Sequence, residues 1–212
     1  MYWLFGELSS GETAGRTPGN PGRGGRPGGP EGPLWVASCK RVRYEMAFTN
    51  ASGGREDLMP SVKTGLDMLL QSGHPWVAGT RLGLLCNPAS VNAGYEHARD
   101  LLRRRFPGQL RVLYSPQHGF YAEKQDNMIE SDHLTDGATG LPVYSLYGET
   151  RVPTPEMLAE IDVLLIDLQD VGTRVYTFVY TLSHCLEAAA AAGKRVLVLD
   201  RPNPINGRDL EG

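Results

Sequence analysis

The sequence predicts an α/β fold: a Rossmann-like, mostly parallel sheet flanked by helices. Three observations carry that expectation. Two apolar runs, Val163-Leu164-Leu165-Ile166 and Val196-Leu197-Val198-Leu199, each end at an Asp. Between them Phe178, Leu182, Cys185, Leu186 and Ala189 recur at helical spacing, and Gly193 closes the pattern as a C-cap does. Both runs are too continuous for half-wet strands, whereas strands of a parallel sheet buried on both faces read this way.

The remaining elements follow in order. Val62 to Leu70 carries apolar residues at 62, 66, 69 and 70, which suits a short amphipathic helix that Gly65 weakens. Arg81 to Cys86 is the first strand, stopped by Asn87-Pro88. Gly94 to Arg105 reads as a helix with Tyr95, Ala98, Leu101 and Leu102 on its buried face and Arg99, Arg103 and Arg104 outside. Leu110 to Tyr114 is the second strand. A long polar stretch, Gln117 to Gly140, follows, and loops of that length inside a compact domain are usually functional. Val143 to Leu146 is a short strand, and Thr154-Pro155 opens a short helix with Thr154 as N-cap and Pro155 at its first position. The sum is four or five parallel strands alternating with helices. Tyr176 and Tyr180, close to Phe178, are expected to pack into the core.

Composition bounds the rest. The 212 residues are 41% hydrophobic and 21% charged, with a net charge of −3, so neither a nucleic-acid backbone nor an anionic membrane is the expected partner. No apolar run approaches the roughly 20 residues a membrane span needs. Cys39, Cys86 and Cys185 are odd in number and far apart, which argues against a disulfide framework or a zinc site. No cofactor or metal is expected. Residues 1 to 45 stand apart. Gly11 to Pro33 is mostly Gly, Pro, Arg and polar residues, and disorder is expected there. No strand precedes this tract and no GK[ST] follows it, so it is not a phosphate loop. An upstream extension from a mis-called start, with Met46 as the true one, is weighed against an RGG-like tail. MYWLFGELSS has neither a basic n-region nor an apolar h-region, so a cytoplasmic product is expected, with export the alternative if the true start differs. The chain stops just after a turn, and a fragment is expected.

In a parallel sheet the polar residues just past the strand C-termini face the ligand crevice. Here they are Asn87 after the first strand, Gln117-His118 after the second, and Asp167, Gln169, Asp170, Arg174, Asp200, Arg201 and Asn203 after the last two. Amides and carboxylates chelate adjacent hydroxyls while Arg pairs with an acid, so this mixture suits a polyhydroxylated ligand. Structural alternatives stand beside it: Asp167 or Asp170 as a helix cap or the partner of Arg174, the Asp200 to Pro204 loop as a plain turn, and His118 as a hydrogen-bonded structural histidine. No G-x-S-x-G elbow occurs, so acyl transfer has no support.

The segments VKTGLDMLL, RLGLLCNPASV, YSPQHGF, LPVYSLYGETRVPTPEML, IDVLLIDLQDVGTRVYTFVYTL and VLVLDRPNPINGRDLEG appear in that order. Through them the chain from about Val62 to Gly212 resembles the NamZ-type exo-β-N-acetylmuramidases, a family of peptidoglycan glycoside hydrolases. The resemblance implies a Rossmann-like N-terminal domain over 62–212, a second domain beyond it, and an active site in the cleft between the two. It implies removal of terminal N-acetylmuramic acid from the non-reducing end of peptidoglycan-derived glycans, and so a muropeptide or amino-sugar ligand. Oligomeric state does not follow from it. The family motif Pro-Glu-His-Gly supplies a Glu as the proposed acid, whereas this chain has Pro116-Gln117-His118-Gly119. An amide cannot protonate a leaving oxygen. Glu123 ranks first among the carboxylates that would replace it, ahead of Asp126, Glu130, Asp167 and Asp170. The alternatives to a muramidase are a non-catalytic sugar-binding protein and a hydrolase of another substrate.

Overall fold

The computed structural model describes residues 62–124, 129–173 and 175–205. The Gly/Pro-rich segment with its expected disorder, Cys39, Asp126 and Arg174 lie outside the described residues. Six strands form one sheet in the order β3-β4-β2-β1-β5-β6. They are β1 (Leu82–Cys86), β2 (Leu110–Ser115), β3 (Leu134–Thr135), β4 (Pro142–Ser145), β5 (Val163–Asp167) and β6 (Arg195–Val198). Every pairing is parallel except β3 with β4. Without β3 the order is that of a Rossmann sheet, and the direction of winding reverses between β1 and β5.

Two layers of helix cover the sheet. Helices α1 (Gly65–Ser72) and α2 (Ala98–Arg105) pack Leu66, Leu69, Leu101 and Leu102 on one face against Leu82, Leu84, Cys86, Leu113 and Leu165. Helices α3 (Pro155–Leu158) and α4 (Phe178–Ala191) cover the other, where Met157, Leu158 and Cys185 meet Leu85, Tyr114, Leu164 and Ile166. Every residue of β1 and of β5 is buried, which is why both read as unbroken apolar runs. Thr154 caps α3 as expected, its side chain accepting from Met157 N, with Pro155 in the first turn.

Several expectations need correction. Helix α2 begins at Ala98, not Gly94, because Asn92 Oδ1 accepts from both Gly94 N and Glu96 N at 2.9 Å and holds a turn there. His97 then takes the cap position, and Tyr95, expected in the core, is 88% exposed at φ 61°. Arg99, expected in solvent, turns inward to pair with buried Asp136 at 2.9 Å. Tyr180 is 57% exposed, and it is Phe178 and Thr181 that enter the core from the first turns of α4. Within the polar stretch the sequence reading had no strand, yet Leu134-Thr135 pairs with β4 as an antiparallel edge. Gly65 also has a role other than weakening α1. A Cβ there would lie 2.4 Å from Asp200 N, so only glycine lets the helix start against the end of β6, where Gly65 N donates to Asp200 O at 2.7 Å.

At the opposite end of the sheet, Asp162 staples β1 to β5. Its carboxylate accepts from Arg81 N at 2.9 Å, Nε at 3.1 Å and Nη2 at 2.6 Å. The Arg81 side-chain and backbone hydrogen bonds pull the Asp162 carboxyl down from 3.8 to about 2. A carboxyl whose folded value is depressed contributes stability that is complete above its unfolded value and lost as pH falls through the folded one. Asp162→Asn is therefore expected to lower the melting temperature at neutral pH and to flatten its fall between pH 3.8 and about 2. The effect is small, because the pair is partly solvated. Melts of the two proteins across that window decide the matter: parallel curves would remove Asp162 from the acid response.

Candidate functional site

The C-terminal ends of β2, β1 and β5 lie side by side, and at the reversal point between β1 and β5 the crevice has a polar floor. Asp167, the last residue of β5, is fully buried, and Arg201 grips it with both arms, Nε to Oδ1 at 2.5 Å and Nη2 to Oδ2 at 2.9 Å. Arg201 Nη1 reaches on to Val91 O at 3.0 Å, and Ser90 Oγ donates to Asp167 O at 2.5 Å. Three loops, after β1, β5 and β6, are thus tied at one point. Burial pushes the Asp167 carboxyl up from its ordinary value, against the downward pull of Arg201.

Asn87 shapes the first of these loops. Its Oδ1 accepts from Ala89 N at 3.1 Å, and its carbonyl meets His97 Nε2 at 3.0 Å. Desolvation lowers the His97 pKa, so the ring is neutral, with Nδ1 accepting from Arg99 N and Nε2 donating to Asn87. Gln169 Nε2 donates to Pro202 O at 3.0 Å, and a Cβ on Gly172 would lie 2.5 Å from Asn203 Nδ2, so the loops after β5 and β6 are in close contact. Asp170 is exposed, accepting from Gly172 N at 3.2 Å. Burial raises the Asp200 carboxyl, partly offset by the backbone N–H of Arg201.

The loop after β2 leaves the strand end next to that of β1. Gln117 is half-buried, and its Oε1 accepts from Thr177 Oγ1, at the start of α4, at 2.6 Å. His118 and Gly119 both take left-handed backbone angles, φ 76° and 82°, a conformation that costs a non-glycine residue about 1–3 kcal/mol and gathers at functional sites. His118 Nδ1 meets Lys124 O at 2.9 Å. Glu123 folds back over the motif: a Cβ on Gly119 would lie 2.6 Å from Glu123 Oε1, and Tyr121 N donates to Oε2 at 3.0 Å. That carboxylate is exposed beside Gln117-His118-Gly119.

Of the residues named from sequence, Gln117, His118 and Glu123 form one group in the β2 loop. Asn87, Asp167, Gln169, Arg201 and Asn203 form a second, engaged with one another's loops. Asp170 and Asp200 are at its margin. Thr177, Ser90, Tyr121 and Asp136 were not singled out, since their partners lie far away in sequence. Among the described residues no group of three or more His, Cys, Asp and Glu side chains is arranged to hold a metal. A cavity of about 250 Å³ lies between α1 and β6, lined by Leu69, His74, Leu197 and Leu199, and it holds none of the candidate residues. Among the described residues no helix is long and apolar enough to cross a membrane.

Comparison with known proteins gives concordant findings. Residues 82–212 match the family described as exo-β-N-acetylmuramidase NamZ, N-terminal. The peptidoglycan β-N-acetylmuramidase NamZ of Bacillus subtilis (strain 168) is 44% identical over 153 residues, 72% of this chain and 37% of that protein. Two crystal structures of DUF1343-family proteins from Bacteroides fragilis are similar. One is 44% identical with a TM-score of 0.63, covering 71% of this chain and 37% of its own; the other is 29% identical with a TM-score of 0.53, covering 66% and 35%. The chain therefore spans little more than a third of the length of these relatives.

Proposed function

The chain belongs to the exo-β-N-acetylmuramidase NamZ family, in its N-terminal part, and from that premise we propose that it forms the wall of a glycoside hydrolase site that releases terminal N-acetylmuramic acid from the non-reducing end of peptidoglycan fragments. The loop after β2 carries the reading. Hydrolysis of a glycosidic bond needs a carboxyl group to protonate the leaving oxygen. Gln117 has none, and Glu123 brings an exposed carboxylate back to the same turn. Thr177 occupies Gln117 Oε1, leaving the amide N–H groups, which have no partner among the described residues, to donate to a sugar hydroxyl. Asp170, exposed at the end of β5, is the carboxylate suited to act on the attacking water or the developing positive charge. Asn87, Asp167, Gln169, Asp200, Arg201 and Asn203 shape the crevice beneath.

A second reading, a sugar-binding protein without hydrolysis, is favoured by one observation, the amide of Gln117 at the position of the family's acid. The test takes the full-length protein with a disaccharide of N-acetylmuramic acid β-linked to N-acetylglucosamine and follows free N-acetylmuramic acid by mass spectrometry. Release is the expected result. Binding of the disaccharide without release at any enzyme concentration would replace the hydrolase with the binding protein. Neither binding nor release would remove the substrate.

A further inference from the structure

We infer that Asp136 is a positioning residue that sets the carboxylate of Glu123 through Tyr121; this rests on the reading of Glu123 as the acid. Asp136 lies in the turn between β3 and β4, at the edge of the sheet, yet its side chain is fully buried. Backbone bonds already close that turn: Gly140 N donates to Asp136 O at 2.7 Å, and Asp136 N to Leu141 O at 2.9 Å. A buried carboxylate is costly unless paired. Its Oδ2 serves the turn through Thr139, and its Oδ1 points outside it, to Arg99 and Tyr121. Arg99 Nη1, from α2, donates at 2.9 Å, Tyr121 Oη at 2.5 Å, and Thr139 Oγ1 completes the shell.

Tyr121 is the link. Its hydroxyl is held by Asp136 while its own backbone N–H donates to Glu123 Oε2 at 3.0 Å. Within the loop, Ala122 N donates to Gly119 O, Lys124 N to His118 O, and His118 Nδ1 meets Lys124 O. Phe120, 3% exposed, seats the beginning of the loop in the core. The Tyr121 hydroxyl adds a polar anchor at the end of the ring, and together the two fix where the Glu123 carboxylate stands over Gly119. Burial works against ionisation of Asp136, and the hydrogen bonds of Thr139 and Tyr121 with the Arg99 charge outweigh it, so the carboxyl sits below its ordinary value and accepts from the neutral tyrosine as a carboxylate.

The Tyr121 side chain is half exposed, so Tyr121→Phe removes the hydroxyl without emptying the core. In the full-length protein, acting on the muramyl disaccharide, Tyr121→Phe is expected to lower kcat about 10- to 100-fold, the scale of misplacing a reacting group, with disaccharide affinity and melting temperature unchanged. Asp136→Asn lowers kcat in the same direction. On a Glu123→Gln background, Tyr121→Phe is expected to lower the residual rate no further, since its effect passes through that carboxylate. Full kcat in Tyr121→Phe overturns the positioning role while leaving Glu123 as acid. A loss of the same size on both backgrounds, or a loss that tracks a fall in melting temperature, makes the tyrosine structural and overturns it too. Full activity of Glu123→Gln alone removes the acid, and the positioning role with it.

Discussion

Glu123→Gln is expected to lower kcat on the muramyl disaccharide by about 10²- to 10⁴-fold, the range that a positioned general acid contributes, with affinity and melting temperature held. The sizes of the two effects separate for a structural reason. Glu123 is exposed, and among the described residues its carboxylate accepts a hydrogen bond from the neutral amide of Tyr121, which a glutamine oxygen accepts as well. No buried charge is created or lost, so stability has little to respond to. The chemistry responds fully, because the glutamine amide has no acidic proton to give. Gln117 makes the prediction sharp. It already bears the side chain that the variant introduces at 123, so the Gln117-His118-Gly119 turn would hold two amides and no acid. If instead Glu123→Gln turns over at the wild-type rate, the acid lies elsewhere, and Glu130 and Asp170 are exposed carboxylates to vary next.

The sheet was legible because burial on both faces writes itself into sequence as continuous apolar runs, as in β1 and β5, buried at every residue. The equally continuous run of β6 was expected to be buried the same way but lies at the edge of the sheet, with only Leu197 of the strand buried. Thr154-Pro155 was legible because capping is local, and one side chain accepting from an amide three residues on needs no tertiary partner. Failures share a different cause. Tyr95 fits the helical period of α2, but an Asx turn at Asn92 wins over two residues of amphipathic pattern. Leu134-Thr135 is too short to show alternation, and only β4 beside it makes it a strand. Arg99 and Asp136 each look solvated alone; their pairing across 37 positions is a product of the fold. The candidate site was read as a set of strand ends, and the fold divides that set. Gln117, His118 and Glu123 share the β2 loop, whereas Asp167 and Arg201 are engaged with each other, which spacing along the chain does not reveal.

That engagement leads to the largest expected effect on stability. Arg201→Met should destabilise the protein by about 3–5 kcal/mol, the cost of leaving a buried partner charge uncompensated. The Asp167 side chain is fully buried and that of Arg201 is only 7% exposed, so water cannot take the place of the guanidinium. Methionine keeps much of the stem's volume and removes both bonds to Asp167 and the one to Val91 O. Burial already pushes the Asp167 carboxyl upward, and without Arg201 it would fold best as the neutral acid. The variant should therefore regain part of its stability as pH falls through the raised carboxyl value, opposite in sign to the response of Asp162. Asp167→Asn combined with Arg201→Met should be less destabilised than Arg201→Met alone, because the buried charge is gone. Denaturant unfolding of the single and double variants measures this coupling directly. A competing role for Arg201, pairing with the carboxylate of a muramic acid ligand, predicts the reverse pattern: near-normal stability and a large loss of affinity. Stability within about 1 kcal/mol of the parent, no more than an exposed ion pair contributes, would mean that the guanidinium serves the ligand and not the three loops.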